Sequence, residues 1–137
     1  MKASKHLIIL VTVFIFSLTA NLSAGEKKPE HLLDGTSMEY FYQNGSGISI
    51  KFYDGQLQFE WIAGPAKGNK GKDIPYRSRK IGDEMYIVNF HQKQKHNFIT
   101  LIFNFKQNVM CGSYIGQYGT DKEKIGFEGG IIEHVKQ

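Results

Sequence analysis

Short runs in which apolar and polar residues alternate, punctuated by turn signals, govern almost the whole chain beyond residue 36. Ile48 to Tyr53 (ISIKFY) and Leu57 to Ile62 (LQFEWI) lie on either side of Asp54-Gly55. Alternation puts successive side chains on opposite faces, which is the period of a half-buried strand. An Asp-Gly between two such runs is a hairpin signal. The same punctuation continues along the chain: Ser37 to Tyr42, Ile74 to Ile81, Met85 to Gln92, Phe98 to Phe105, Val109 to Tyr118 and Phe127 to Val135 all read as strands. Gly64 to Asp73 (GPAKGNKGKD) is the longest expected loop, because it is built from Gly, Lys and Pro. About eight strands at intervals of roughly 8 to 12 residues predict an all-β sandwich or barrel. A helical period reaches no further than one turn, over Pro29 to Leu33.

Strand parity then separates inside from outside. Ile48, Ile50 and Phe52 share one face, and Leu57, Phe59 and Trp61 another. Met38, Tyr40 and Tyr42 are expected inward, with Phe41 the exception. In the fifth run Tyr86, Val88, Phe90 and Gln92 share the inner face; the sixth, Phe98 to Phe105, is apolar on both faces, as if another element covered one of them. An interior holding Tyr40, Tyr42, Trp61, Tyr86, Phe90 and Gln92 carries polar atoms that need partners when buried. Eight-stranded barrels either fill with side chains or hold one small ligand, and these residues favour a cavity with hydrogen-bonding capacity.

The N-terminal segment bounds the compartment. Lys2 and Lys5 precede an apolar run from Leu7 to Leu18, and Thr19 to Ala24 is short and small-residued. Positive, apolar, small is the order of a cleavable secretory signal over residues 1–24, and the run is shorter than the ~20 residues a bilayer span needs. Residues 25–31 then form a flexible polar leader, and residues 32–137 a single domain. Without the two lysines of the signal, 15 basic residues face 13 acids, a net charge of +2. That is too little to predict a nucleic-acid or membrane-surface partner. The single cysteine, Cys111, excludes an internal disulfide and is expected as a small core residue.

Motifs of chemistry are sparse. His31, His91, His96 and His134 show no metal-ligand spacing, so no metal or cofactor is expected. The glycine- and lysine-rich stretch Gly64 to Lys72 lacks the Ser or Thr and the helix of a phosphate loop. Lys67, Lys70, Lys72, Arg77, Arg79 and Lys80 are expected on a solvated loop and an outward strand face. Ser113 has no nucleophile motif around it, so no catalytic residue is assigned.

Tyr40-Phe41-Tyr42-Gln43-Asn44-Gly45 resembles the Tyr-x-Tyr-x-Asn-Gly opening of bacterial phenolic acid decarboxylases, and Tyr86 to Gln92 resembles their Tyr-x-Val-x-Trp-x-Glu segment. Together with Trp61, Gly64, Tyr76 and Gly129-Gly130-Ile131, the layout is more similar still to the MoaF-like domain, of the molybdenum-cofactor-biosynthesis protein F type. Both families are calycins, so the resemblance implies a small up-and-down, lipocalin-like barrel of antiparallel strands. It also implies that Tyr40 and Tyr42 stand where the decarboxylases hold a substrate carboxylate, and that Gln92 replaces their catalytic glutamate. Arg77 and Arg79 are the candidates for the family's cavity arginine. An amide cannot serve as general acid or base near neutral pH, although it can donate and accept hydrogen bonds. The expected function is that of an exported, non-enzymatic protein holding a small apolar or aromatic, anion-compatible ligand. An enzyme acting on small carboxylates in the same cavity, or an interaction module with a filled barrel, would be its rivals.

Overall fold

The computed structural model describes residue 28 and residues 30–137; the expected signal segment 1–24 lies outside the described residues. The strands are β1 (Ser37–Tyr42), β2 (Gly47–Tyr53), β3 (Gln56–Ala63), β4 (Lys70–Gly82), β5 (Met85–Gln92), β6 (Asn97–Asn104), β7 (Val109–Gly116) and β8 (Lys124–Lys136). They form one closed barrel in chain order, every neighbouring pair is antiparallel, and β8 returns to pair with β1. Of the sandwich or barrel that the alternating pattern allows, this is the barrel, and it has the up-and-down, calycin-like form that the family resemblance implies. A closed barrel leaves no edge strand exposed.

Burial follows parity closely. Met38, Tyr40, Ile48, Ile50, Phe52, Leu57, Val88, Leu101, Phe103, Met110 and Ile132 are buried. Phe41 points outward, and its ring lies against Gly47. β6 turns Leu101 and Phe103 to the core and leaves Phe98 38% exposed. Phe98 pairs with Ile115, which pairs with Ile125, so its outer neighbours are apolar side chains at the surface rather than a covering element.

Two sequence expectations are corrected here. The loop expected over Gly64 to Asp73 ends at Asn69, because β4 begins at Lys70 and pairs Glu60 with Lys70 and Phe59 with Gly71. A register shift between Leu57 and Phe59 absorbs the extra residues as a bulge. Pairing demanded by barrel closure overrides the poor strand propensity of Gly, Lys and Asp. Cys111 is exposed rather than in the core. The buried residue of that pair is Met110, so parity sends Cys111 to the outer face.

One end of the barrel is sealed. The chain from Glu30 to Thr36 crosses it and buries Leu33 and Thr36. Glu30 and His31, the end of the expected leader, are fastened there: the Glu30 carbonyl accepts from the Ser78 amide at 2.6 Å and the Ser78 hydroxyl at 3.1 Å, and the His31 ring meets Tyr76 edge-on at 5.4 Å. The Asp34 carboxylate accepts from the Tyr76 hydroxyl at 2.8 Å and from the Gly55 amide at 3.0 and 3.1 Å. It thereby joins the crossing segment to the β2–β3 turn and to β4.

Candidate functional site

The other end is open, and a cavity of about 510 Å³ runs down from it into the barrel. This lies within the range of roughly 300–1,000 Å³ typical of small-molecule pockets. Tyr40, Ile50, Phe90 and Leu101 line it among others, and Trp61, Gln92, Lys95, Asn97 and Lys124 line it at the strand ends and turns that form the mouth. Of the residues that the alternation singled out, the structure brings Tyr40, Tyr42, Trp61, Phe90 and Gln92 together on this cavity. Tyr86 is not among its lining residues. It lies six residues before Gln92, at the start of β5, and its ring packs against Phe105 at 5.9 Å near the opposite end. Parity reports the face of a strand and not the depth along it, which is why Tyr86 joined the set.

An aromatic column descends the cavity. Trp61 and Tyr42 have ring centroids 6.0 Å apart, Tyr42 and Tyr40 are edge-to-face at 5.4 Å, and Tyr40 meets Phe103 at 5.9 Å. Burial pushes the phenols of Tyr40 and Tyr42 well above their ordinary value, with the Glu128 charge adding to both shifts. Both are therefore protonated donors at neutral pH.

Glu128 is a cavity-lining polar residue that sequence reasoning missed. It is the one carboxylate among the described residues that line the cavity. The register explains its position. Tyr42 pairs with Gly130 on β8, so Glu128, two residues on, is its diagonal neighbour on the same face. Across the other seam Glu128 pairs with Gly112 of β7. Gly130 and Gly112 carry no side chain into the space Glu128 occupies. A Cβ at Gly130 would lie 2.4 Å from the Phe41 carbonyl oxygen, so this seam admits only glycine. A Cβ at Gly126 would meet the Tyr114 ring at 2.5 Å, so that glycine lets Tyr114 lie flat across the wall. The signal was present in the alternation of Lys124, Gly126, Glu128, Gly130 and Ile132, which turns a charged residue inward between two glycines.

The Tyr42 hydroxyl interacts with both Tyr40 and Glu128. Glu128 lies close enough for its charge to raise both phenols, and among the described residues no ion pair holds its carboxylate. A carboxylate has about four acceptor sites, so Glu128 retains capacity toward the cavity.

Gln92 sits near the mouth, where its Oε1 accepts from Asn97 Nδ2 at 3.1 Å. Arg77 and Arg79 are exposed on the outer face of β4, so neither supplies a cavity arginine; the cations lining the cavity are Lys95 and Lys124, both exposed. Lys67, Lys70, Lys72 and Lys80 are exposed as expected. His91 faces away from Gln92 and hydrogen-bonds the Tyr118 hydroxyl, while His96 flanks the same ring at 5.4 Å. Among the described residues no cluster of metal-ligating side chains occurs.

Comparison with known proteins agrees with this barrel. Residues 25–116 match the family described as the MoaF N-terminal domain. No curated protein matches the chain. Among solved structures, a Burkholderia vietnamiensis protein provisionally named a beta-lactamase superposes with a TM-score of 0.65 at 14% identity, covering 79% of this chain and 97% of that one. At that identity the likeness is one of fold.

Proposed function

The chain belongs to the MoaF N-terminal domain family, and from that premise we propose that it is an exported protein whose barrel holds one small, largely apolar or aromatic molecule. The observation that carries this reading is the open cavity of about 510 Å³, sealed at its far end and walled by aromatic rings with a few convergent polar groups. Apolar walls supply affinity in proportion to the area they bury, and a small number of placed polar atoms set orientation. The closed end argues against a through-channel. Export rests on the tripartite segment over residues 1–24. Mass spectrometry of the protein purified under native conditions tests the binding reading: a stoichiometric co-purifying small molecule supports it. N-terminal sequencing of the protein recovered from outside the cytoplasm tests export, which predicts a first residue at Gly25.

A second reading, an enzyme acting on small carboxylates, draws on Glu128, an acid or base inside the cavity where Gln92 cannot be one. Its difficulty is that the Glu128 charge stands beside the tyrosine pair. A substrate carboxylate placed on Tyr40 and Tyr42 would meet a second negative charge beside it. Incubation with p-coumaric and ferulic acids decides: vinyl phenol formation that disappears in Glu128→Gln favours the enzyme, and no turnover favours binding alone.

A further inference from the structure

We propose that the cavity selects a ligand with an organic ammonium group on an aromatic body, the ammonium seated on Glu128 and the ring among the cavity aromatics. This deepens the binding reading and rests on it. Among the described residues Glu128 is the only acid on the wall, and it is half-buried. Among the described residues no cation pairs with its carboxylate, so a compensating charge can come from the cavity side. An ammonium supplies up to three donors and a compensating charge. The surrounding walls suit the same head group. Tyr40, Tyr42, Phe59, Trp61, Phe90 and Tyr114 line the space, and aromatic faces attract cations held within about 6 Å of the ring.

The lysines do not oppose this. Lys124 lies four residues from Glu128 along β8, about 13 Å of strand. Its charge and that of Lys95 are exposed, where salt screens them over roughly 8 Å. They are placed to repel a second ammonium at the mouth, or to pair with an acidic substituent that remains outside. The polarity is thus acid within and base at the rim. It is the reverse of what the decarboxylase resemblance implies, in which a carboxylate goes to the tyrosine pair.

The test compares three probes of one shape: phenethylamine, 2-phenylethanol and 3-phenylpropionate, titrated against Trp61 emission and by calorimetry near pH 7. The amine should bind about tenfold tighter than the alcohol, and the acid more weakly than either. Glu128→Gln should remove the preference for the amine and leave the alcohol within about threefold of wild type, which also reports that the variant is folded. Equal affinities for amine and alcohol, or a preference for the acid, overturn the ammonium assignment while leaving the binding reading intact. Absence of binding by all three probes and by an apolar dye overturns both.

Discussion

Asp34→Ala tests whether the sealed end is a structural stopper independent of the cavity. The carboxylate holds the Tyr76 hydroxyl and the Gly55 amide together. Tyr76 is 2% exposed, so its hydroxyl has no route to water once Asp34 is shortened, while Gly55 is half-buried and partly recovers. A buried donor left unpaired costs about 1–3 kcal/mol. The two together should cost about 2–4 kcal/mol, a large part of the roughly 5–15 kcal/mol that holds a domain together. In a domain of this size that lowers the melting temperature by roughly 10 °C or more. Tyr76→Phe removes one donor and leaves Asp34 on Gly55, so it should cost only about 1 kcal/mol. In the double variant no phenol remains to be orphaned, and the combined cost should fall short of the sum by at least about 1 kcal/mol. Urea unfolding of the four proteins provides the cycle, and ligand affinity at the far end should be unchanged throughout. An Asp34→Ala protein within about 0.5 kcal/mol of wild type, or strictly additive costs, would refute this account of the sealed end.

Three further outcomes follow from the same geometry. Tyr40, Tyr42 and Tyr76 have folded values raised above 10.0, chiefly by burial. Below pH ~10 they are neutral in both states; as pH rises further, the unfolded chain ionises and the folded one does not, so stability falls by roughly 1.4 kcal/mol per pH unit for each. Absorbance at the phenolate band should show these tyrosines ionising only together with unfolding, and all seven tyrosines titrating as one class near pH 10 would contradict the burial. Gly130→Ala, whose Cβ would lie 2.4 Å from the Phe41 carbonyl oxygen, should destabilise the β1–β8 seam by about 2 kcal/mol or more; a melt unchanged from wild type would refute the close approach. Cys111, exposed on β7, should react with a thiol reagent in the native protein at the rate of a free peptide thiol, and protection until unfolding would place it inside after all.

Much of the fold was legible because strand parity is strict. Ile48, Ile50 and Phe52 against Ser49 and Lys51 leave one register, and Asp54-Gly55 closes the first such hairpin. Legibility failed where local chemistry and long-range pairing disagree. Lys70 to Asp73 reads as loop, and becomes strand because β3 needs a partner there. Cys111 reads as core by residue type, and parity with Met110 decides against it. In the site, Tyr40, Tyr42, Trp61 and Gln92 were within reach because each interrupts or ends an apolar alternation. Glu128 was not, since Gly126 and Gly130 flank it on the inner face and give apolar periodicity nothing to register. Phe127 to Val135 reads as a strand, but Gly126 and Gly130 leave its inner face unmarked, although they are what opens space around the acid.

The central claim is that the open end of this barrel takes up one small molecule beside Trp61. Because Trp61 is the only tryptophan, energy transfer from it to an apolar naphthalene dye reports occupancy of the cavity directly. The decisive measurement is that titration in wild type and in Gly112→Phe, a change that fills the wall opposite Glu128 against a movable Leu101 side chain. The account predicts a saturable, one-to-one signal in wild type that is abolished in a Gly112→Phe protein with an unchanged circular dichroism spectrum. A signal that never saturates, or one that survives the filled cavity, would contradict it.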